Sequence, residues 1–129
     1  NKNFIYKNSD IISLHVDLNK TTKFLVNKKN LNLMKKNAVL INTSRGDVVV
    51  EKELKKHLIK NSNFKAGIDV FKSENKVDQK LVNLKNVLST PHSGPSKETR
   101  SKLIEHILKN IRYLRSGKIN YLKSISINF

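Results

Sequence analysis

The chain has 129 residues, 26 basic against 10 acidic, a formal net charge of +16, 37% hydrophobic residues and no cysteine. That length suffices for one domain with a modest core, and the missing cysteines exclude a disulfide framework or a thiolate metal site. No apolar run approaches the roughly 20 residues of a membrane span, and no signal-peptide pattern is present. The positive charge does not read as a nucleic-acid face. Its lysines lie along the whole chain among asparagines, never more than two in a row, and the only arginines are Arg45, Arg100, Arg112 and Arg115. A phosphate-binding face would cluster its charge and interleave arginine and aromatics, so this pattern reads as a solvated surface.

In chain order, Asn1 to Ser9 reads as the end of a helix or loop, and Ile11 to Val16 as the first strand. A loop over Asn19 to Phe24 leads to a short helix, Lys28 to Met34, with Leu31 and Met34 on one face. Ala38 to Asn42 is the second strand. Val50 to Lys60 is a helix with Leu54, Leu58 and Ile59 inward, ending near Asn61 and Asn63. Lys65 to Val70 and Val87 to Ser89 are the third and fourth strands. These apolar runs are continuous rather than alternating, which predicts parallel strands covered on both faces. The last helix is the clearest element. Ser96 caps its start, Gly117 closes it, and Leu103, Ile104, Ile107, Leu108, Ile111 and Leu114 form one apolar stripe that predicts a core-facing side. Tyr121 to Phe129 is a short tail.

Three stretches carry the chemistry: Ile41-Asn-Thr-Ser-Arg45-Gly46, Gly67-Ile-Asp69-Val-Phe71-Lys-Ser-Glu74 and Thr90-Pro-His92-Ser-Gly94. Each follows a strand, and parallel sheets place ligands beyond the carboxyl ends of their strands. Arg45, Glu74 and His92 are therefore predicted to meet on one rim. Arginine grips a carboxylate with two parallel hydrogen bonds. Histidine exchanges a proton near neutrality, and a carboxylate beside it holds one ring nitrogen. Such a set suits redox work on a small anionic substrate, with a cofactor to take the hydride. The four histidines show no metal-ligand spacing, so no metal site is expected.

From about Ser9 to Asn120 the chain resembles the D-isomer-specific 2-hydroxyacid dehydrogenases. The likeness runs through Asp10-Ile-Ile-Ser-Leu-His15-Val16, Thr22, Leu25-Val-Asn27, Met34 to Gly46, Gly67 to Phe71, Glu74 and Asn86 to His92. It implies an α/β fold, the second half of a Rossmann-type doubly wound parallel sheet followed by a long C-terminal helix. Residues 1–120 would belong to a partial NAD-binding domain and 121–129 to the tail. The resemblance implies that Arg45 binds substrate, Glu74 assists and His92 is the acid/base. It also implies that Val16, Thr43, Ser44, Arg45, Asp69, His92, Ser93 and Gly94 line NAD. The substrate would be a small 2-hydroxy or 2-oxo acid, with a slight preference for 3-phosphoglycerate, and the whole enzyme a cytoplasmic homodimer.

Departures accompany the matches. Asp17 and Asn75 stand where the family usually has proline, and Pro95 where glycine or alanine follows the histidine. Asn37 replaces a turn glycine, a mild change because asparagine tolerates left-handed geometry. No Gly-x-Gly-x-x-Gly is present among the four glycines Gly46, Gly67, Gly94 and Gly117, so the turn that cradles a pyrophosphate is not in this sequence. The chain therefore reads as the carboxyl-terminal part of a longer enzyme. The competing readings are an NAD(H)-binding sensor or corepressor-like module of the same family, and an inactive remnant.

Overall fold

The computed structural model describes residues 1–92 and, beyond them, the helical positions Ser101, Lys102, Ile104, Glu105, Leu108, Lys109, Ile111 and Arg112. Residues 1–92 form one compact unit and the chain from Ser93 a second. The first unit contains four strands, β1 (Ile11–Leu14), β2 (Val39–Asn42), β3 (Lys65–Ile68) and β4 (Val87–Ser89), and four helices, α1 (Lys2–Asn8), α2 (Lys28–Leu31), α3 (Glu51–Lys60) and α4 (Gln79–Val82). The strands form one sheet in the order β1-β2-β3-β4, every pair parallel, and Leu14, Asn42 and Ile68 share one row of its register. Since each crossover steps to the next strand, all four carboxyl ends lie on the same rim.

Several elements are shorter than the sequence suggests. The first strand stops at Leu14 instead of Val16, the third at Ile68 instead of Val70, and the short helix at Leu31 instead of Met34. The reason is shared: once the chain leaves the sheet, its apolar residues still serve the core from loops, as Val26, Val48, Val49, Val70 and Phe71 do. The opening segment is a helix, capped by the side chain of Asn1 on the Asn3 amide. Asn27 caps α2 while Asn30 reaches back to the Asn27 amide, a reciprocal pair that holds so short a helix. Asn37 does not adopt left-handed geometry; among the described residues only Phe24 and His92 do so without being glycine.

The sheet is not covered on both faces within the described residues. Burial alternates along β1, β2 and β3, and Ile11 and Leu88 are 64% and 75% exposed. Ile12, Leu14, Leu40, Ala66 and Ile68 face a core completed by Tyr6, Leu31, Leu54, Leu58, Phe64 and Leu81. Val39, Ile41 and Leu88 point to the other face, which the described residues leave uncovered. Ile59 is likewise exposed rather than inward, since it lies one position beyond the buried Leu54–Leu58 stripe of α3. In the second unit Ile104, Leu108 and Ile111 are about half exposed, which departs from the expected core-facing stripe. Leu103, Ile107, Leu114, the caps Ser96 and Gly117, and the tail lie outside the described residues.

Polar clamps bind the layers. The Asn86 amide nitrogen lies 3.1 Å from the Leu58 carbonyl and 2.8 Å from that of Phe64, tying the end of α3 to the start of β4. Lys55 hydrogen-bonds Asp78, which caps α4, and holds that carboxyl below the usual carboxylate range. The ring of Phe64 is fully buried and meets His57 edge-on at 4.7 Å. Phe64→Ala is expected to cost about 3–5 kcal/mol, read from denaturant unfolding of the chain. Burial, and then Lys60, hold the His57 pKa below its ordinary value. The folded chain thus binds that proton less readily than the unfolded one, so the His57 contribution is present above about pH 6.5 and is lost as pH falls through the depressed folded value. The melting temperature should therefore drop on acidification from about pH 7 to about pH 5, less steeply in His57→Leu.

Candidate active site

The rim is built from three successive loops. After β2 the chain turns through Thr43 and Ser44 to Arg45, whose extended backbone enters the 3-10 turn Gly46–Val48. Asn42, at the end of β2, directs that turn. Its side-chain oxygen accepts from the Ser44 amide at 3.2 Å and hydroxyl at 2.8 Å, and its nitrogen donates to the Arg45 carbonyl at 3.0 Å. The Arg45 side chain is exposed and donates through Nη1 to the Ser44 carbonyl at 2.6 Å.

The loop after β3 passes Asp69, Val70 and Phe71 to Glu74, in the 3-10 turn Glu74–Lys76. It lies directly against the first loop. A methyl group at Gly46 would sit 2.1 Å from the Phe71 carbonyl carbon and 2.3 Å from the Lys72 nitrogen, so no other residue fits without moving backbone. The Glu51 carboxylate, on the first residue of α3, accepts the Lys72 amide and fixes the same crossing. The loop after β4 carries Thr90, whose hydroxyl bonds the Asp69 carboxylate, and then His92. His92 Nδ1 is hydrogen-bonded to the Glu74 carboxylate, and its backbone is left-handed at φ 51°. A histidine in that region is held there at a cost of about 1–3 kcal/mol, a pattern that gathers at functional sites.

Arg45, Glu74 and His92 therefore follow three adjacent strands onto one rim, and Glu74 and His92 are in contact. The residues marked for cofactor are distributed unevenly. Thr43 is exposed, Val16 and Asp69 are half-buried, and Ser44 is buried with its hydroxyl bound to Asn42. Ser93 and Gly94, with Pro95, lie outside the described residues. Thr22 closes the turn over Asp17 and Asn19, accepting the Asn19 amide at 2.9 Å, so its hydroxyl has a local structural partner. His15 Nε2 pairs with Ser13 Oγ at 2.7 Å. Among the described residues no group of three His, Asp or Glu side chains could hold a metal ion. Nor does any helix among them have the length and apolarity to cross a membrane.

The profile of the family described as D-isomer specific 2-hydroxyacid dehydrogenase, NAD binding domain, matches residues 2–94. The chain belongs to this family. It is 44% identical to a glyoxylate reductase of Thermococcus litoralis over 89% of its own length and 35% of that protein's. With a hydroxypyruvate reductase of Thermotoga maritima the identity is 35%, over 83% of this chain and 38% of the relative. The crystal structure of an Aquifex aeolicus D-lactate dehydrogenase complexed with NAD and lactic acid aligns at a TM-score of 0.68 and 27% identity, covering 96% of this chain and 44% of that one. The chain thus spans between about a fifth and two fifths of the length of the curated relatives it matches. The four-stranded parallel sheet is the corresponding part of the family's Rossmann-type domain, whose cofactor is NAD.

Asn42 and Glu51 were not evident as site residues from sequence. The Asn-x-Ser spacing of Asn42 and Ser44 carries an Asx-turn signal that could have revealed the first. Glu51 and Lys72 are 21 positions apart and offer no local signal. Gly46→Ala should force the two loops apart and destabilise the chain by about 1–3 kcal/mol, measured as a lowered melting temperature beside the parent sequence.

Proposed function

We propose that this chain is part of an NAD(H)-dependent oxidoreductase that interconverts a small D-2-hydroxy acid and its 2-oxo acid. The observation that carries the reading is the His92–Glu74 pair, with His92 held left-handed on the rim it shares with Arg45. Family membership supports the reaction class. Residues 1–120 would belong to the NAD-binding domain. The cytoplasmic, homodimeric form implied by the resemblance belongs to the same proposal.

The nicotinamide cofactor, when bound, accepts a hydride from the carbinol carbon or returns it. The residues present suit its reactive end: an apolar side chain at Val16, a hydroxyl at Thr43 and a carboxylate at Asp69 follow β1, β2 and β3 on the rim that also carries His92. Arg45 would grip the substrate carboxylate and turn its C2 oxygen towards His92. With Nδ1 bound to Glu74, Nε2 is the nitrogen left to take the carbinol proton on oxidation, or to give it to the carbonyl oxygen on reduction. Glu74 would fix the ring orientation and offset the imidazolium charge. Relatives named glyoxylate reductase, glycerate dehydrogenase and D-3-phosphoglycerate dehydrogenase, at 44%, 46% and 39% identity, support a two- or three-carbon oxo acid as the substrate class.

In the whole enzyme, His92→Ala is expected to lower kcat by about 10²–10⁴-fold, and Arg45→Lys to act chiefly by raising KM for the oxo acid. Near-normal kcat in His92→Ala would favour a cofactor-binding sensor instead. The 129-residue chain alone contains no Gly-x-Gly-x-x-Gly and is expected neither to turn over a 2-oxo acid nor to bind NADH appreciably. Calorimetric titration with NADH checks this, and micromolar affinity would contradict it.

A further inference from the structure

Asn42 is only 4% exposed, and its neighbours in the same row of the sheet are the buried apolar residues Leu14 and Ile68. A leucine or isoleucine would continue that row into the core. The amide is there instead, and its side-chain hydrogen bonds go to Ser44 and Arg45, the residues of the turn that presents the guanidinium. Chemistry sets its orientation: the Ser44 amide can only donate, so it faces the Asn42 oxygen, and the Arg45 carbonyl can only accept, so it faces the nitrogen. The Arg45 carbonyl also accepts the Val48 amide at 3.2 Å, so it is held from both sides.

The geometry points to Asn42 as the positioning residue for Arg45, fixing the backbone from which the guanidinium reaches the substrate carboxylate. This rests on the reading of Arg45 as the carboxylate anchor. Among the described residues the guanidinium has no ion-pair partner, and it hydrogen-bonds the adjacent Ser44 carbonyl. The reach of so long a side chain is therefore set by its own backbone. Gly46, pressed on Phe71 and Lys72, holds that backbone on one side, and Asn42 holds it on the other. Loss of the amide frees the Thr43–Arg45 turn to relax while leaving every group proposed to touch substrate in the chain.

A double-mutant cycle in the whole enzyme tests this, with Asn42→Leu, Arg45→Ala and the pair. Asn42→Leu extends the Leu14–Ile68 row and so keeps the core apolar, while Asn42→Asp keeps the acceptor for Ser44 and replaces the donor to the Arg45 carbonyl with a carboxylate oxygen that repels it. Each is expected to lower kcat/KM for the 2-oxo acid by about 10²-fold. In the Arg45→Ala background the same change should add less than about twofold, because the group being positioned is gone. Should Asn42→Leu fail to fold, Asn42→Asp runs the same cycle. Losses that multiply in the double variant would overturn the inference and leave Arg45 as the anchor. An Arg45→Ala variant with undiminished kcat/KM would overturn both the anchor and the role of Asn42.

Discussion

The contact between Gly46 and the backbone of Phe71 and Lys72 is the constraint on which the candidate site depends. Two loops from adjacent strands can present their side chains to one small substrate only if their backbones cross at close range, and here they do so with no room for a single carbon atom. Glu51 secures the crossing from α3, and Asn42 sets the approach from β2. The site is therefore an extension of the sheet register. Arg45 and Glu74 stand where they do because Asn42 and Ile68 are paired neighbours in β2 and β3.

The same logic explains how much of the molecule was legible beforehand. Four strands, their order along the chain and the loops that bear Arg45, Glu74 and His92 could be read from apolar runs followed by polar motifs. The contact of His92 with Glu74 was likewise foreseeable, because carboxylate–histidine pairs follow from chemistry once two loops are known to be neighbours. Exact strand ends were not legible, since Val16 and Val70 contribute to packing from outside the sheet as residues within it do. Nor was the open face. A strand with one buried side can carry apolar residues on both, and Ile41 and Leu88 give no local sign of which way they point.

Amide groups were the other hidden layer. Asparagine is so frequent here that it reads as compositional drift, yet individual residues have separate tasks. Asn1 and Asn27 cap helices, Asn19 organises a turn with Thr21 and Thr22, Asn42 shapes the Arg45 loop and Asn86 joins α3 to β4. Their partners are mostly backbone groups whose positions sequence spacing does not specify. Asn42 closes a strand in the sequence pattern, where an inward polar side chain looks like a break in the core until its partners are known.

That reliance on neutral amides has a consequence for how the chain responds to ionic strength. A formal charge of +16 makes the compact state self-repelling, and dissolved salt relieves that repulsion. In a fold held by surface ion pairs, the same salt would weaken the attractions as it eased the repulsions. Here the clamps formed by Asn27, Asn42 and Asn86 carry no net charge and are insensitive to screening. Moderate salt therefore eases the lysine-rich surface and weakens partly exposed pairs such as Lys55–Asp78, while the amide joints keep their strength.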